Sequence, residues 1–117
     1  MPVTIKDRNN DNIIAEAQDD DEKSIIFLEG SWYFQPDLVD MTHLIKTKRT
    51  YNCPYKGICY WIDLDSPETQ ARNIAFVYEE PLDGYERIKG RIAFYGRATS
   101  GTIVDGDTNG LDDSADS

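Results

Sequence analysis

The sequence has few of the residues that build metal centres or disulfide frameworks. Its 117 residues include two cysteines, Cys53 and Cys59, and one histidine, His43. A structural zinc site uses four Cys or His ligands, and no CxxC pair is present, so we expect no metal and no cofactor. Two cysteines also fall short of the usual secreted disulfide framework. We therefore expect free thiols, as is normal in a reducing cytosol.

Long apolar runs are missing as well. The longest purely apolar run is the segment 25–28, whereas a membrane helix needs about 20 apolar residues. The opening residues, MPVTIKDRNN, contain no apolar core, so we expect no secretory signal and a cytoplasmic location. With 39% hydrophobic residues, a chain of 117 residues fits one domain with a modest core.

Basic residues are outnumbered by acidic ones. The chain has 12 Lys and Arg against 22 Asp and Glu, a net charge of −10. This charge repels phosphate backbones, so we expect no nucleic-acid partner. The segment 43–57 is an exception, because it contains Lys46, Lys48, Arg49 and Lys56 but no acid. Its local positive charge predicts a small anionic ligand.

Short runs of β-branched and aromatic residues predict a small all-β domain of antiparallel strands. We predict strands at 3–7, 12–17, 24–30, 31–35, 42–51, 58–64, 73–80 and 91–96. Short helical turns are predicted after Pro36 and within 81–90. In the strand 58–64 the even positions should share one face, and Cys59, Trp61 and Asp63 the other.

Composition divides the chain into two parts. Residues 1–98 carry the strand pattern and are predicted to form the β domain. Residues 99–117 contain five aspartates, no basic residue and few apolar residues. Such a segment buries too little surface to offset its ordering entropy, so we expect a disordered acidic tail. Removing residues from about Asp105 onward should leave the melting temperature nearly unchanged.

The stretch TYNCPYKGICYW, residues 50–61, concentrates reactive and aromatic side chains. Positive charge from Lys56 and Arg49 could activate the Cys53 thiol, or Cys53 could be an inert, half-buried thiol. Lys56 beside Gly57 could hold an anion, or the segment could be an ordinary turn with its lysine in solvent. The nucleotide-binding patterns GxxxxGK[ST] and GxGxxG are both absent.

Three ordered motifs carry a family resemblance: CPYKG at 53–57, FVYEEP at 76–81 and GRIAFY at 90–95. Together with Tyr60-Trp61 and the upstream WYFQPDLV at 32–39, they resemble the family known as domain of unknown function 427, over about residues 3–97. The sequence departs from many relatives at Phe76, where they have tryptophan, and at VDMT, 39–42, where they have a basic residue.

This resemblance implies a compact, mostly β domain. Its topology would be similar to the β-tent of methionine-R-sulfoxide reductases and of the ligand-binding domain of cereblon, without their zinc cysteines. The family is sometimes labelled nucleotidyltransferase-like. The paired carboxylates on a Gly-Ser strand–helix unit, which carry such a two-metal mechanism, are absent from this sequence. We therefore do not transfer that activity.

The three motifs together predict one small-molecule site. We expect a cleft with Lys56 as electrostatic anchor for an anion, lined by Cys53, Tyr55, Lys56, Trp61, Tyr78 and Tyr95. Two alternatives remain: a small transferase-like enzyme that uses Cys53 as nucleophile or Lys56 as acid/base, and an adaptor that binds another protein. If Lys56 is the anchor, Lys56→Met should abolish binding at little cost in stability. The sequence leaves the oligomeric state open.

Overall fold

The part of the chain that the structure describes forms nine strands and two 3₁₀ turns. The structure, a computed structural model, describes residues 2–19 and 21–106. The strands are β1 (Val3–Asp7), β2 (Ile13–Ala17), β3 (Ile25–Leu28), β4 (Ser31–Phe34), β5 (Leu44–Cys53), β6 (Gly57–Asp65), β7 (Gln70–Tyr78), β8 (Ile92–Tyr95) and β9 (Thr102–Asp105). The 3₁₀ turns span Pro36–Leu38 and Glu86–Ile88. The predicted all-β fold with two short helical turns is confirmed.

The strands form two antiparallel sheets. The smaller sheet has the order β2-β1-β9, and the larger has the order β3-β4-β8-β7-β6-β5. Every strand pair is antiparallel. Within the described residues, no helix is long and apolar enough to cross a membrane.

The main core lies between the two sheets, because strand side chains alternate between faces. On β6, Ile62 and Leu64 point into this core with Val3 and Ile5 of β1. The odd positions Cys59 and Trp61 belong to a second cluster. The alternation predicted for the strand 58–64 is therefore confirmed.

The second cluster covers the opposite face of the large sheet. Strands β4, β7 and β8 each send alternate residues into the main core and into this cluster. Its buried members are Ile26, Leu28, Tyr33, Cys53, Cys59, Phe76, Tyr78, Ile88 and Ala93. Ile88, in the second 3₁₀ turn, is fully buried there. The large sheet is thus apolar on both faces.

The domain extends beyond the boundary predicted at residue 98. Strand β9 lies inside the predicted tail and pairs with β1, with Ile5 opposite Val104 and Asp7 opposite Thr102. Thr102 is buried. The prediction of disorder from residue 99 is therefore wrong for this strand, since pairing with β1 satisfies its backbone. The rest of the predicted tail, residues 107–117, lies outside the described residues.

Candidate functional site

The CPYKG motif is the turn that joins β5 to β6. Cys53 closes β5 opposite Gly57, the first residue of β6. Gly57 has φ = +107°, and an added Cβ would lie 3.4 Å from the Glu80 carbonyl oxygen. A residue other than glycine would be strained by this backbone angle. The Leu82 N–H donates to the Lys56 carbonyl oxygen at 2.8 Å, which fixes the turn against the following loop.

Lys56 is buried and forms an ion pair. Its ammonium donates to Glu29, and the Lys56 side chain is 9% exposed. Burial alone would lower the pKa of Lys56, but the hydrogen bond and charge of Glu29 outweigh it and raise the pKa. The lysine therefore stays charged. In this structure Glu29 occupies the ammonium of Lys56, which was predicted to be the electrostatic anchor of an anion. That role stays a prediction, and the ion pair argues against it.

Glu29 has a positive backbone φ, which is unusual for a residue other than glycine. It occupies the two-residue turn between β3 and β4, with φ of +52° at Glu29 and +82° at Gly30. Two residues with positive φ are typical of a type I′ hairpin. A left-handed conformation costs a non-glycine residue about 1–2 kcal/mol. Despite this cost, position 29 is a glutamate, and its carboxylate accepts a hydrogen bond from Lys56 of the CPYKG turn.

Cys53 is a free thiol beside this ion pair. Burial would raise the pKa of the Cys53 thiol, but the backbone N–H groups of Lys56 and Tyr55 and the Lys56 charge outweigh it, so the pKa is lowered. Cys59, free in the same cluster, has its pKa raised by burial. The pKa values of the two thiols are therefore shifted in opposite directions, and Cys53 is only 8% exposed.

Four aromatic rings cross the same face of the sheet on four adjacent strands. We call Tyr51 of β5, Trp61 of β6, Phe76 of β7 and Tyr95 of β8 the aromatic row. Their ring centroids lie 6.4 Å apart for Tyr51–Trp61, 5.8 Å for Trp61–Phe76 and 5.6 Å for Phe76–Tyr95. Contacts of this kind contribute about 0.5–1.5 kcal/mol each beyond burial.

The aromatic row is partly open to solvent. Tyr51 is 53% exposed, while Phe76 forms the floor at 7%. Trp61 and Tyr95 are half-buried on either side of Phe76. On the same face, Tyr33 and Tyr78 pack edge-on against Phe76 at 5.8 and 6.0 Å. The row is therefore a supported, partly exposed apolar surface.

Ion pairs neutralise most of the basic segment. Arg49 donates to Asp63 and, at 2.9 Å, to Asn73. Lys46 pairs with Glu79 and lies 4.8 Å from the Tyr60 ring centre. With Lys56 also paired, three of the four predicted cations have acidic partners. The segment 43–57 contains no acidic residue, but the fold brings acidic side chains from elsewhere in the chain against it.

The structure brings together five of the six predicted site residues. Cys53, Trp61, Tyr78 and Tyr95 belong to the second cluster, and the Lys56 ammonium lies 5.9 Å from the Tyr78 ring centre. Tyr55 does not join them, because it lies at the tip of the turn and is 72% exposed.

Sequence reasoning missed the central residue of the row. Phe76 touches four other rings: Tyr33, Trp61, Tyr78 and Tyr95. The alternation of 73–80, compared with that of 58–64, could have placed Phe76 on the same face as Trp61. The strand register now shows Trp61 opposite Phe76.

Two of the cavities, both away from the row, adjoin His43 and the CPYKG turn. One, of about 280 Å³, is lined by Asp7, Asp40 and His43 among others. Asp7 is already satisfied there by the hydroxyls of Ser66 and Thr69. The other, of about 380 Å³, is lined by Gly57, Ile58 and Leu82 among others. Within residues 2–19 and 21–106, no three His, Cys, Asp or Glu side chains cluster as metal ligands.

Comparison with known proteins gives one family match. The family model described as "Domain of unknown function (DUF427)", with the short label NTP_transf_9, matches residues 3–105. This range includes β9, which the motif resemblance over about 3–97 had left out. A search of curated proteins gave no match.

Proposed function

Because the chain belongs to the DUF427 family, whose description names no activity, we propose a function from the site itself: the domain binds a small planar molecule on the aromatic row. The observation that carries this proposal is the row of four rings on four adjacent strands, with Trp61 and Tyr95 flanking Phe76. Contiguous exposed apolar surface on a protein marks interaction sites. Flat aromatic side chains on a sheet are suited to stacking against a planar ring.

The size of the row favours a small molecule over a protein partner. Four neighbouring strands span three strand spacings, or about 14 Å. A stable protein interface buries about 800 Å² on each partner, which is far more than a strip of this length offers. An adaptor role therefore has less support than ligand binding.

An enzyme that uses the CPYKG residues also has less support. Lys56 is already engaged by Glu29, and its raised pKa opposes a role as a general base at neutral pH. Cys53 has a lowered pKa, but His43 lines a separate cavity and so does not supply a base at the thiol. We propose that Lys56 and Cys53 have a structural role in the CPYKG turn, next to the aromatic row. A cytoplasmic location and the absence of nucleic-acid partners remain part of this proposal.

Loss of the Trp61 ring should weaken binding of a planar probe. In Trp61→Ala the affinity for 2-naphthoate should fall about tenfold, since one stacked ring contributes about 1–3 kcal/mol. Isothermal titration calorimetry measures this change directly. Tyr55→Ala is the matched control, because it removes an exposed ring of the CPYKG turn outside the row. Equal affinity of Trp61→Ala and the wild type would refute the proposed site.

A further inference from the structure

The aromatic row ends on a cation without an acidic partner. Arg97 follows β8, and its guanidinium lies 4.8 Å from the Tyr95 ring centre. Arg97 is exposed, and none of the ion pairs among residues 2–19 and 21–106 includes it. The nearby cations Arg49 and Lys56 are held by Asp63 and Glu29. Within residues 2–19 and 21–106, Arg97 is therefore a cation that contacts the row, has no acidic partner and can offer its charge to a ligand.

The backbone around Gly96 fixes where Arg97 emerges. The Gly96 N–H donates to the Gly30 carbonyl oxygen at 2.7 Å, which joins the end of β8 to the β3–β4 turn. A Cβ at position 96 would lie only 2.8 Å from the same oxygen, so glycine allows this close approach. Arg97 leaves this fixed point directly beside Tyr95 and lies over the ring.

A guanidinium above an aromatic ring keeps its hydrogen-bonding capacity. Its planar fork carries five N–H donors and can form two parallel hydrogen bonds to a carboxylate or phosphate. Stacking on an aromatic face is a favourable arrangement for arginine and limits its freedom before a ligand arrives. Burial raises the pKa of Tyr95, and the Arg97 charge opposes this shift. The phenol stays neutral and does not compete for Arg97.

We propose that the ligand of the aromatic row is a planar aromatic compound with an anionic group, and that Arg97 binds this group. The inference rests on the proposed function, and it names the chemical class of the ligand. It also places the anion anchor at the Tyr95 end of the row, instead of at Lys56. The ring of the ligand stacks on Trp61 beside Phe76. Its carboxylate, sulfonate or phosphate pairs with Arg97 at the rim.

Three probes with one ring system test this proposal at constant ionic strength: 2-naphthoate, the neutral 2-naphthamide and the cationic 2-naphthylmethylamine. The wild-type protein should bind 2-naphthoate about tenfold more tightly than 2-naphthamide, a difference of about 1.4 kcal/mol. It should bind the amine most weakly of the three. In Arg97→Met the preference for naphthoate should disappear, while the affinity for naphthamide stays the same.

The control variant is Lys23→Met. It removes one positive charge, as Arg97→Met does, but Lys23 lines a different cavity with Ser24 and Pro36 among others. It should retain the preference for naphthoate. Equal loss in both variants would show a long-range effect of net charge and overturn the assignment to Arg97. Equal binding of naphthoate and naphthamide by the wild type would overturn the anionic class but leave the proposed function standing. Binding of none of the three probes would refute both.

Discussion

A chain that ends at Ala98 should be less stable than the full-length protein by at least about 3 kcal/mol, because it lacks β9 and the hydrogen bonds that β9 makes to β1. In urea unfolding followed by circular dichroism, the midpoint should fall markedly. This truncated chain corresponds to the β domain that the sequence predicted, residues 1–98. Its stability therefore tests both the predicted domain boundary and the contribution of β9 to the fold.

The physical reason is the loss of one edge of the small sheet. Residues 4–7 of β1 face residues 102–105 of β9. Each backbone hydrogen bond contributes about 0.5–1.5 kcal/mol, and a buried group left without a partner costs more. Val104 packs against the main core, and Thr102 is buried. Without β9, the buried residues Val3 and Ile5 of β1 lose their cover on this side.

A chain that ends at Gly106 is the control, because it retains the whole of β9. Its unfolding midpoint should match that of the full-length protein. This agrees with the expectation that removing residues from about Asp105 onward leaves the melting temperature nearly unchanged. If the chain that ends at Ala98 were as stable as the one that ends at Gly106, the pairing of β9 with β1 would contribute nothing to the fold.

Lys56→Met should destabilise the protein by about 2–3 kcal/mol, because it leaves the Glu29 carboxylate partly buried without its cation. Removing one partner of a fully buried pair costs about 3–5 kcal/mol, and we expect less here because the Glu29 side chain is 30% exposed. The variant should still bind 2-naphthoate once folded, since Lys56 is engaged by Glu29 and is not part of the aromatic row. Urea unfolding and calorimetric titration of the same sample measure both effects.

Lys46→Met provides the comparison for a lysine on the surface. Lys46 also pairs with a glutamate, Glu79, but both side chains are nearly half exposed. Pairs of this kind contribute about 0–1 kcal/mol, so the variant should be close to wild type in stability. If instead Lys56→Met kept its stability and lost naphthoate binding, Lys56 would be the anion anchor that the sequence predicted, and the structural role assigned to it here would be wrong.

The sequence predicted those features that depend on neighbouring residues. Alternation placed Ile62 and Leu64 on one face of β6 and Trp61 on the other, because side chains reverse direction at each strand position. The same logic supports the predicted strands 3–7 and 12–17, which pair as β1 and β2 with Val3 opposite Ala17. Each of these depends on a few adjacent positions, where side-chain pattern decides the structure.

Contacts between distant residues could not be predicted in this way. Glu29 is 27 positions from Lys56, and no local pattern connects them. The segment 43–57 contains no acidic residue, and its partners Asp63, Glu79 and Glu29 come from other parts of the chain. Strand β9 was hidden for a different reason. Three of its four residues, Thr102, Ile103 and Val104, are β-branched. The surrounding glycines and aspartates dominate the composition of the segment and conceal this short run.

The most direct test of the aromatic site uses the two tryptophans of the chain. Their indole N–H groups give two separate signals in a proton–nitrogen NMR spectrum, assigned with the variant Trp61→Phe. Trp61 lies in the row, whereas Trp32 is buried in the main core at 1% exposure. On titration with 2-naphthoate, the Trp61 signal should shift to saturation while the Trp32 signal stays in place. A Trp61 signal that does not move, with or without a shift at Trp32, would contradict a ligand site on the aromatic row.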